Sequence, residues 1–299
     1  MTASCSSLPS SQPVSLDALP PVGASHDAVR RYSRARRNVL PRTDLVTAVA
    51  GRWAHEAVLR SGGSVELMLW CPGERTVPDV EGVAREVAGR ADRVLRVSER
   101  TLARLHPDAS APGLLSLVRV PRWAPADVLT TEAGLVLVAD GIEYAGNLGT
   151  LVRTADACAV DALVLTRAVA RVTHHKAFTA SRGTVLTTPV LEYADVRSAR
   201  SDLAAAGFTT YVADPGGAMP YREAGLGSGP TAVVVGSEGD GVDAQWRTGL
   251  TRVSIPMLGR ADSLNVATSA AVLLFEARAR SAQRHGQHHD RDERPQSPR

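Results

Sequence analysis

The chain of 299 residues is 44% hydrophobic, enough for one large domain or two modest ones with a sizeable core, which excludes disorder throughout. Its formal net charge is only +3, but the isoelectric point is about 9.0 and the basic residues are almost all arginine, so a polyanionic partner and a bias of solvated helix-face charges are both open. Isolated Cys5, Cys71 and Cys158, and the lack of an apolar run near the roughly 18 residues of a membrane span, argue against a disulfide scaffold, a metal site or a membrane anchor and predict a cytoplasmic protein.

Residues 1 to 25 are rich in Ser and Pro without apolar period, the signature of a disordered leader. The stretch His26 to Arg42 packs Arg30, Arg31, Arg34, Arg36 and Arg37 around Tyr32, a cation cluster that could clamp a nucleic-acid backbone or form an exposed helix face. From Asp44 to Arg60, Leu45, Val49, Trp53, Val58 and Leu59 fall at roughly helical spacing, which predicts a helix ended by Gly62-Gly63 before a strand at Val65 to Trp70. A helix near Asp79 to Ala88, a strand at Arg93 to Val97, a helix capped by Ser98 and a strand at Leu114 to Val118 complete a small α/β unit spanning residues 26 to 120. Residues 121 to 134 read as a linker.

The second half alternates strand and helix, the pattern of a parallel sheet with crossovers. Strands are expected at Leu135 to Ala139, Ala162 to Leu165, Phe208 to Val212, Thr231 to Val235 and Arg252 to Ile255. Helices are expected at Leu148 to Ala159, Ala194 to Ala206, Ala244 to Thr248 and Leu264 to about Gln283, and the tail from there is read as a disordered end.

Three loops in this half could carry chemistry. Asp140 to Thr154 runs from a strand through a glycine-containing turn to Asn147, which could be a helix cap, and on to Arg153. Ala180-Ser-Arg-Gly183 sets Arg182 beside a glycine, where backbone and guanidinium could approach one phosphate, although a plain surface turn would look the same. Gly236-Ser-Glu-Gly-Asp-Gly241 and then Ser254 to Asn265 follow two strands, so they would line the crevice at the carboxyl ends of an open sheet. There Glu238 could accept hydrogen bonds from Asn147, and Ser263 could cap the last helix with Asn265 in its first turn. No GxGxxG, GxxxxGK[ST] or GxSxG is present, which removes dinucleotide, nucleoside-triphosphate and serine-hydrolase readings.

In this order the loops resemble the SpoU, or TrmH-like, family of RNA ribose 2′-O-methyltransferases. The matching residues are Gly146-Asn147-Leu-Gly149 with Arg153-Thr154, then Val235-Gly-Ser-Glu-Gly239 with Gly241, then Ile255-Pro-Met257 with Ser263-Leu-Asn265-Val266. Within the family the sequence is most similar to the thiostrepton/nosiheptide-resistance 23S rRNA methyltransferases, through Val118-Arg-Val-Pro-Arg122, Gly146 and Ser181-Arg182-Gly183. The resemblance implies an α/β fold: a parallel-sheet SPOUT domain over residues 135 to 283 with a deep trefoil knot, and a small L30e-like RNA-binding domain before it.

It also implies S-adenosylmethionine as cofactor, held by Gly236, Ser237, Ile255, Met257, Ser263, Leu264 and Asn265, a homodimer, and 23S rRNA as partner. Arg182, Arg153, Asn147 and Glu238 become the catalytic candidates and Arg30 to Arg37 the RNA contacts, with thiopeptide-antibiotic resistance as a possible purpose. A tRNA ribose methyltransferase of the same fold and a non-catalytic RNA-binding protein are the competing readings.

Overall fold

The computed structural model describes residues 16–73, 78–106, 113–129, 134–217, 219–237 and 239–292. The first unit comprises β1 (Pro21–Val22), α1 (Asp27–Arg36), β2 (Val46–Ala50), α2 (Arg52–Arg60), β3 (Val65–Trp70), α3 (Pro78–Ala88), β4 (Val94–Val97), α4 (Glu99–Leu105), β5 (Leu114–Arg119) and α5 (Pro125–Val128). Its five-stranded sheet has the order β1-β4-β3-β5-β2, with β5 antiparallel to both neighbours and the other pairs parallel. The predicted leader therefore ends early: Pro21–Val22 already pair with Arg96 and Val97, while residues 1–15 lie outside the described residues.

Helix α1 explains the arginine cluster. Ala28, Val29, Tyr32 and Ala35 recur at the helical period and are buried, so the intervening cations face outward. Arg31 is the exception. It donates to both oxygens of Asp44 at 2.7 and 2.9 Å and to Glu66 at 2.6 and 3.0 Å, pinning α1 to β3.

The helix expected over Asp44 to Arg60 is instead strand β2 followed by helix α2. Val46, Thr47 and Val49 are β-branched and buried although β2 is an edge strand, and Gly51, at φ +82°, breaks the chain direction between the two elements. Leu45, Val49 and Trp53 mimicked one helical stripe only because a period of two and a period of about four coincide at every fourth residue.

The second unit comprises β6 (Leu135–Asp140), α6 (Ala145–Ala157), β7 (Ala162–Thr166), α7 (His175–Ala180), β8 (Val190–Tyr193), α8 (Val196–Ala205), β9 (Thr209–Ala213), β10 (Met219–Pro220), β11 (Thr231–Gly236), α9 (Ala244–Arg247), β12 (Thr251–Ser254) and α10 (Val266–Asp292). The seven strands run β10-β12-β9-β11-β6-β7-β8, with every pair parallel. Alternation sorts the two faces. Leu135, Leu137, Ala139, Leu163, Leu165, Val233 and Val235 pack with α6 and α10, whereas Val136, Val138, Val164, Ala232 and Val234 pack with α8 and α9. Helix α10 continues through residues read as a disordered tail.

The two units share a core. Ala54, Ala57 and Val58 of α2 belong to the same cluster as Phe178, Val185 and Leu186. Polar clamps reinforce it: buried Arg171 donates to the carbonyls of Leu40 at 2.7 Å and Pro41 at 2.8 Å, and Arg42 donates to those of Ala168 and Val169. In the predicted linker, Val128 and Leu129 are buried against the second sheet, and residues 130–133 lie outside the described ones.

Candidate active site

The carboxyl ends of β9, β11 and β12 open into a cavity of about 940 Å³. Gly236, Ser237, Ile255, Met257, Ser263 and Leu264, all expected to hold the donor, line it. Gly236 has to be glycine: a Cβ there would stand 2.2 Å from the Gly241 carbonyl carbon, so the loop could not fold back on itself. The fold-back is sealed by Gly241 N–H donating to Ser237 O at 3.0 Å and Asp240 N–H to Ser237 Oγ at 3.2 Å. Among the lining side chains are the carboxylates of Asp214, Asp240 and Asp262 and the guanidinium of Arg247, which is 3.7 Å from Asp214. Arg252 also pairs with Asp214, at 3.3 Å, so the acids of this lining that a cationic group would meet are the exposed Asp240 and Asp262.

Beneath this loop lies an anchor that the sequence reading did not single out. Asp140, fully buried at the end of β6, accepts from Thr166 Oγ1 at 2.8 Å, Arg167 Nε and Nη2 at 3.0 and 2.7 Å, and the Asp243 backbone N–H at 2.8 Å. Asp243 caps α9 through Gln245 N–H, and Trp246 of α9 donates its indole N–H to Thr166 Oγ1. One carboxylate therefore ties two strand ends to the segment that follows the Gly236–Gly241 loop. The only sequence signal for it was an acid ending an otherwise apolar strand.

The first motif lies on α6, which begins at Ala145, three residues before its predicted start. Asn147 is inside the first turn rather than at the cap, a position held by Tyr144. Gly149 faces α7: a Cβ there would meet the Ala177 carbonyl oxygen at 2.4 Å and Ala180 Cβ at 2.7 Å. Arg153, one turn further on, is exposed.

Asn265, expected inside the last helix, is its cap instead of Ser263. Its Oδ1 accepts Ala267 N–H at 2.9 Å, and its Nδ2 donates to Asn147 Oδ1 at 3.4 Å. A cap at 263 would start the helix at Leu264, two residues before α10 begins at Val266, and Asn265 has the shorter reach to its free N–H groups. The first and third motifs thus meet through one amide. Glu238, expected to orient Asn147, lies outside the described residues.

Arg182 lies not in a plain turn but at the end of α7. With Ser181 as cap, Gly183 N–H donates to Phe178 O at 3.1 Å and Arg182 N–H to Thr179 O at 3.2 Å, the paired bonds of a Schellman ending. Arg182 occupies its left-handed position at φ +58°, where glycine is usual. Its guanidinium carbon stands 4.9 Å from the Trp53 ring centroid. At the other end of α7, His174 caps through Nδ1 and stacks on His175. Burial, then neighbouring His174, pushes His175 down to about 4, so it is neutral at pH 7.

Of the α1 cations, Arg34 and Arg37 are exposed, Arg30 pairs with exposed Asp27, Arg36 is half-buried, and Arg31 is committed to Asp44 and Glu66. Six of the seven residues expected to hold the donor line one cavity; Asn265 does not line it and instead meets Asn147, and Arg153 and Arg182 do not line it either.

A crevice of cofactor size at the strand ends of a parallel sheet, walled by glycine-tight loops, defines a cofactor-binding α/β enzyme domain. The sequence profile described as the SpoU rRNA Methylase family matches residues 134–275. A tRNA/rRNA methyltransferase of Mycolicibacterium gilvum, itself uncharacterized, is 30% identical over 261 residues, covering 84% of this chain and 83% of that protein. The chain belongs to the SpoU methylase family. It is also similar to the Bacillus subtilis 23S rRNA (guanosine(2553)-2′-O)-methyltransferase RlmP, at 37% identity over 156 residues; the match covers 52% of this chain and 61% of RlmP's length. The fold matches that of an AdoMet-bound rRNA methyltransferase from Sinorhizobium meliloti with a TM-score of 0.75 at 23% identity, over 86% of this chain and 96% of that one.

Proposed function

We propose that the protein methylates a ribose 2′-hydroxyl of 23S rRNA with S-adenosylmethionine as donor. The observation that carries this reading is the glycine-tight cavity at the strand ends, joined through Asn265 to Asn147 of the first motif. The family membership and the likeness to RlmP support it.

S-adenosylmethionine, when bound, supplies a methyl group on a positively charged sulfur. Asp240 and Asp262 would complement that charge, the close Gly236 turn would offer backbone groups, and Val235, Val253, Ile255 and Leu264 would supply apolar surface for the purine. Ser263 and Met257 belong to the same wall, and Asn265, between the lining Leu264 and Val266, ties that wall to α6. Arg153 and Arg182 hold the RNA. A guanidinium stays protonated at neutral pH and cannot take the hydroxyl proton, so their role is to fix phosphate and stabilise developing charge while water or a phosphate oxygen accepts the proton. Arg34 and Arg37 extend the grip across α1.

The same reading extends to architecture and setting. Strand β12 lies between β9 and β10 instead of at the sheet's edge, a placement that supports threading of the C-terminal segment into a trefoil knot. Tyr144, at the cap of α6, and Phe275, on α10, are exposed at two helices that pack together, which supports a homodimer. The first unit serves as the L30e-like RNA-binding domain, the protein works in the cytoplasm, and modification of a thiopeptide-binding site on the ribosome would give resistance. Among the described residues no helix is long and apolar enough to cross a membrane.

Incubation with methyl-labelled S-adenosylmethionine and separated 23S rRNA and tRNA tests the proposal. Label enters 23S rRNA; label in tRNA alone would replace the rRNA reading by the tRNA one, and retention of RNA without label would leave only a binding protein.

A further inference from the structure

Arg182 is held by more than its own helix. Trp53, on α2 of the first unit, meets Phe178 of α7 edge-on, with ring centroids 6.5 Å apart and planes inclined at 65°. Its ring also lies 4.9 Å from the Arg182 guanidinium carbon. Ala57, one turn along α2, closes over the next residue of the ending: a Cβ at Gly183 would stand 2.9 Å from Ala57 Cβ. The first unit therefore covers the whole Schellman ending that displays Arg182.

The chemistry of the stack matters for what the guanidinium can do. A guanidinium lying on an aromatic ring keeps its N–H edge in the guanidinium plane, free to pair with two phosphate oxygens. The stack also restricts a side chain rich in rotamers before RNA arrives, so less conformational freedom is lost on binding. A left-handed backbone at a non-glycine residue adds to the same picture, because such strain persists where the surroundings over-determine it.

We propose that Trp53 is a positioning residue for Arg182, so that the first unit helps to build the RNA-facing edge of the active site in addition to gripping RNA. The proposal rests on the reading of Arg182 as an RNA-side residue.

The test uses the full chain with Trp53→Ala, Trp53→Phe, Arg182→Ala and the Trp53→Ala/Arg182→Ala double variant. Trp53→Ala should lower kcat/KM for RNA about tenfold, with the dissociation constant for S-adenosylmethionine unchanged and Trp53→Phe recovering most of the rate. The double variant should be no slower than Arg182→Ala, because Trp53 acts through that residue. Independent multiplication of the two effects, or full activity in Trp53→Ala, would overturn the proposal.

Nitrogen-15 NMR of arginine side chains gives a readout that needs no activity and that Trp53→Phe supplies even if Trp53→Ala does not fold. The Arg182 Nε–H signal should carry a ring-current shift that changes in the Phe variant; an unchanged signal would overturn the stack itself. If the native protein methylates no RNA, the methyltransferase reading fails, and this signal still decides the positioning.

Discussion

Arg182 occupies a backbone position that glycine would take without strain. For an L-residue the left-handed region costs about 1 kcal/mol or more, and stacking on Trp53 returns about 0.5–1 kcal/mol. Arg182→Gly removes both and should leave the melting temperature nearly unchanged. Arg182→Ala keeps the strain, loses the stack and should melt a few degrees lower. Both variants should fall to a low residual rate of methyl transfer while still binding S-adenosylmethionine, as calorimetry and label incorporation would show. An Arg182→Gly protein that kept its activity would remove the residue from the reaction.

Sequence made Ser181-Arg182-Gly183 visible as an arginine beside a glycine. It could not show the helix ending, because α7 has only six residues and too few turns to declare a period. Asp140 was missed for a related reason: its partners Thr166, Arg167 and Asp243 are brought together only by strand order.

At the scale of elements, Gly149 sets how closely α6 approaches α7. Gly149→Ala would drive a methyl into the Ala177 carbonyl, and since neither helix can move without disturbing the core, the fold should lose about 1–3 kcal/mol. Chemical denaturation measures this, with methylation falling because Asn147 and Arg182 ride on the two displaced helices. No change in either would mean that the helices part at little cost.

Helix α2 carries its own pH sensitivity. Buried His55 donates from Nδ1 to Gly51 O at 2.7 Å, which leaves Nε2 to accept from Ser116 Oγ at 2.9 Å, so the ring is neutral. Burial pushes it down to about 4, below its unfolded value of about 6.5. The unfolded chain therefore binds more protons in that window: this stability is complete above about pH 6.5 and is lost as pH falls toward 4, by about 3 kcal/mol. Thermal melts of the native protein and His55→Gln across that range should show a shallower pH slope in the variant, with half-buried His175 contributing in the same direction in both.

Most strands were legible because parallel strands buried on both faces read as unbroken apolar runs, as in Leu135–Asp140 and Thr231–Gly236. Val46–Ala50 was not, because its alternation merged with the stripe of the following helix and only the conformation of Gly51 separates them.

For the whole molecule, the division into two units holds for the sheets but not for the core. Trp53, Ala57 and Gly63 on one side meet Phe178, Gly183 and Leu186 on the other, and Arg171 fastens the Leu40–Pro41 turn. This joint was beyond reach of sequence, since residues more than a hundred positions apart define it. The glycine loops at the strand ends were within reach, because glycine spacing after an apolar run records a close backbone approach of the kind seen at Gly236.

The central claim is that this edge and the donor cavity together place a methyl group on a ribose oxygen of RNA. The measurement that tests it most directly is mass spectrometry of nucleosides from 23S rRNA treated with the protein and S-adenosylmethionine, alongside an RNA carrying a 2′-deoxy sugar at the target. The account predicts one 2′-O-methylated nucleoside and no product from the deoxy RNA. A methyl group on a base, or undiminished methylation of the deoxy RNA, would contradict it.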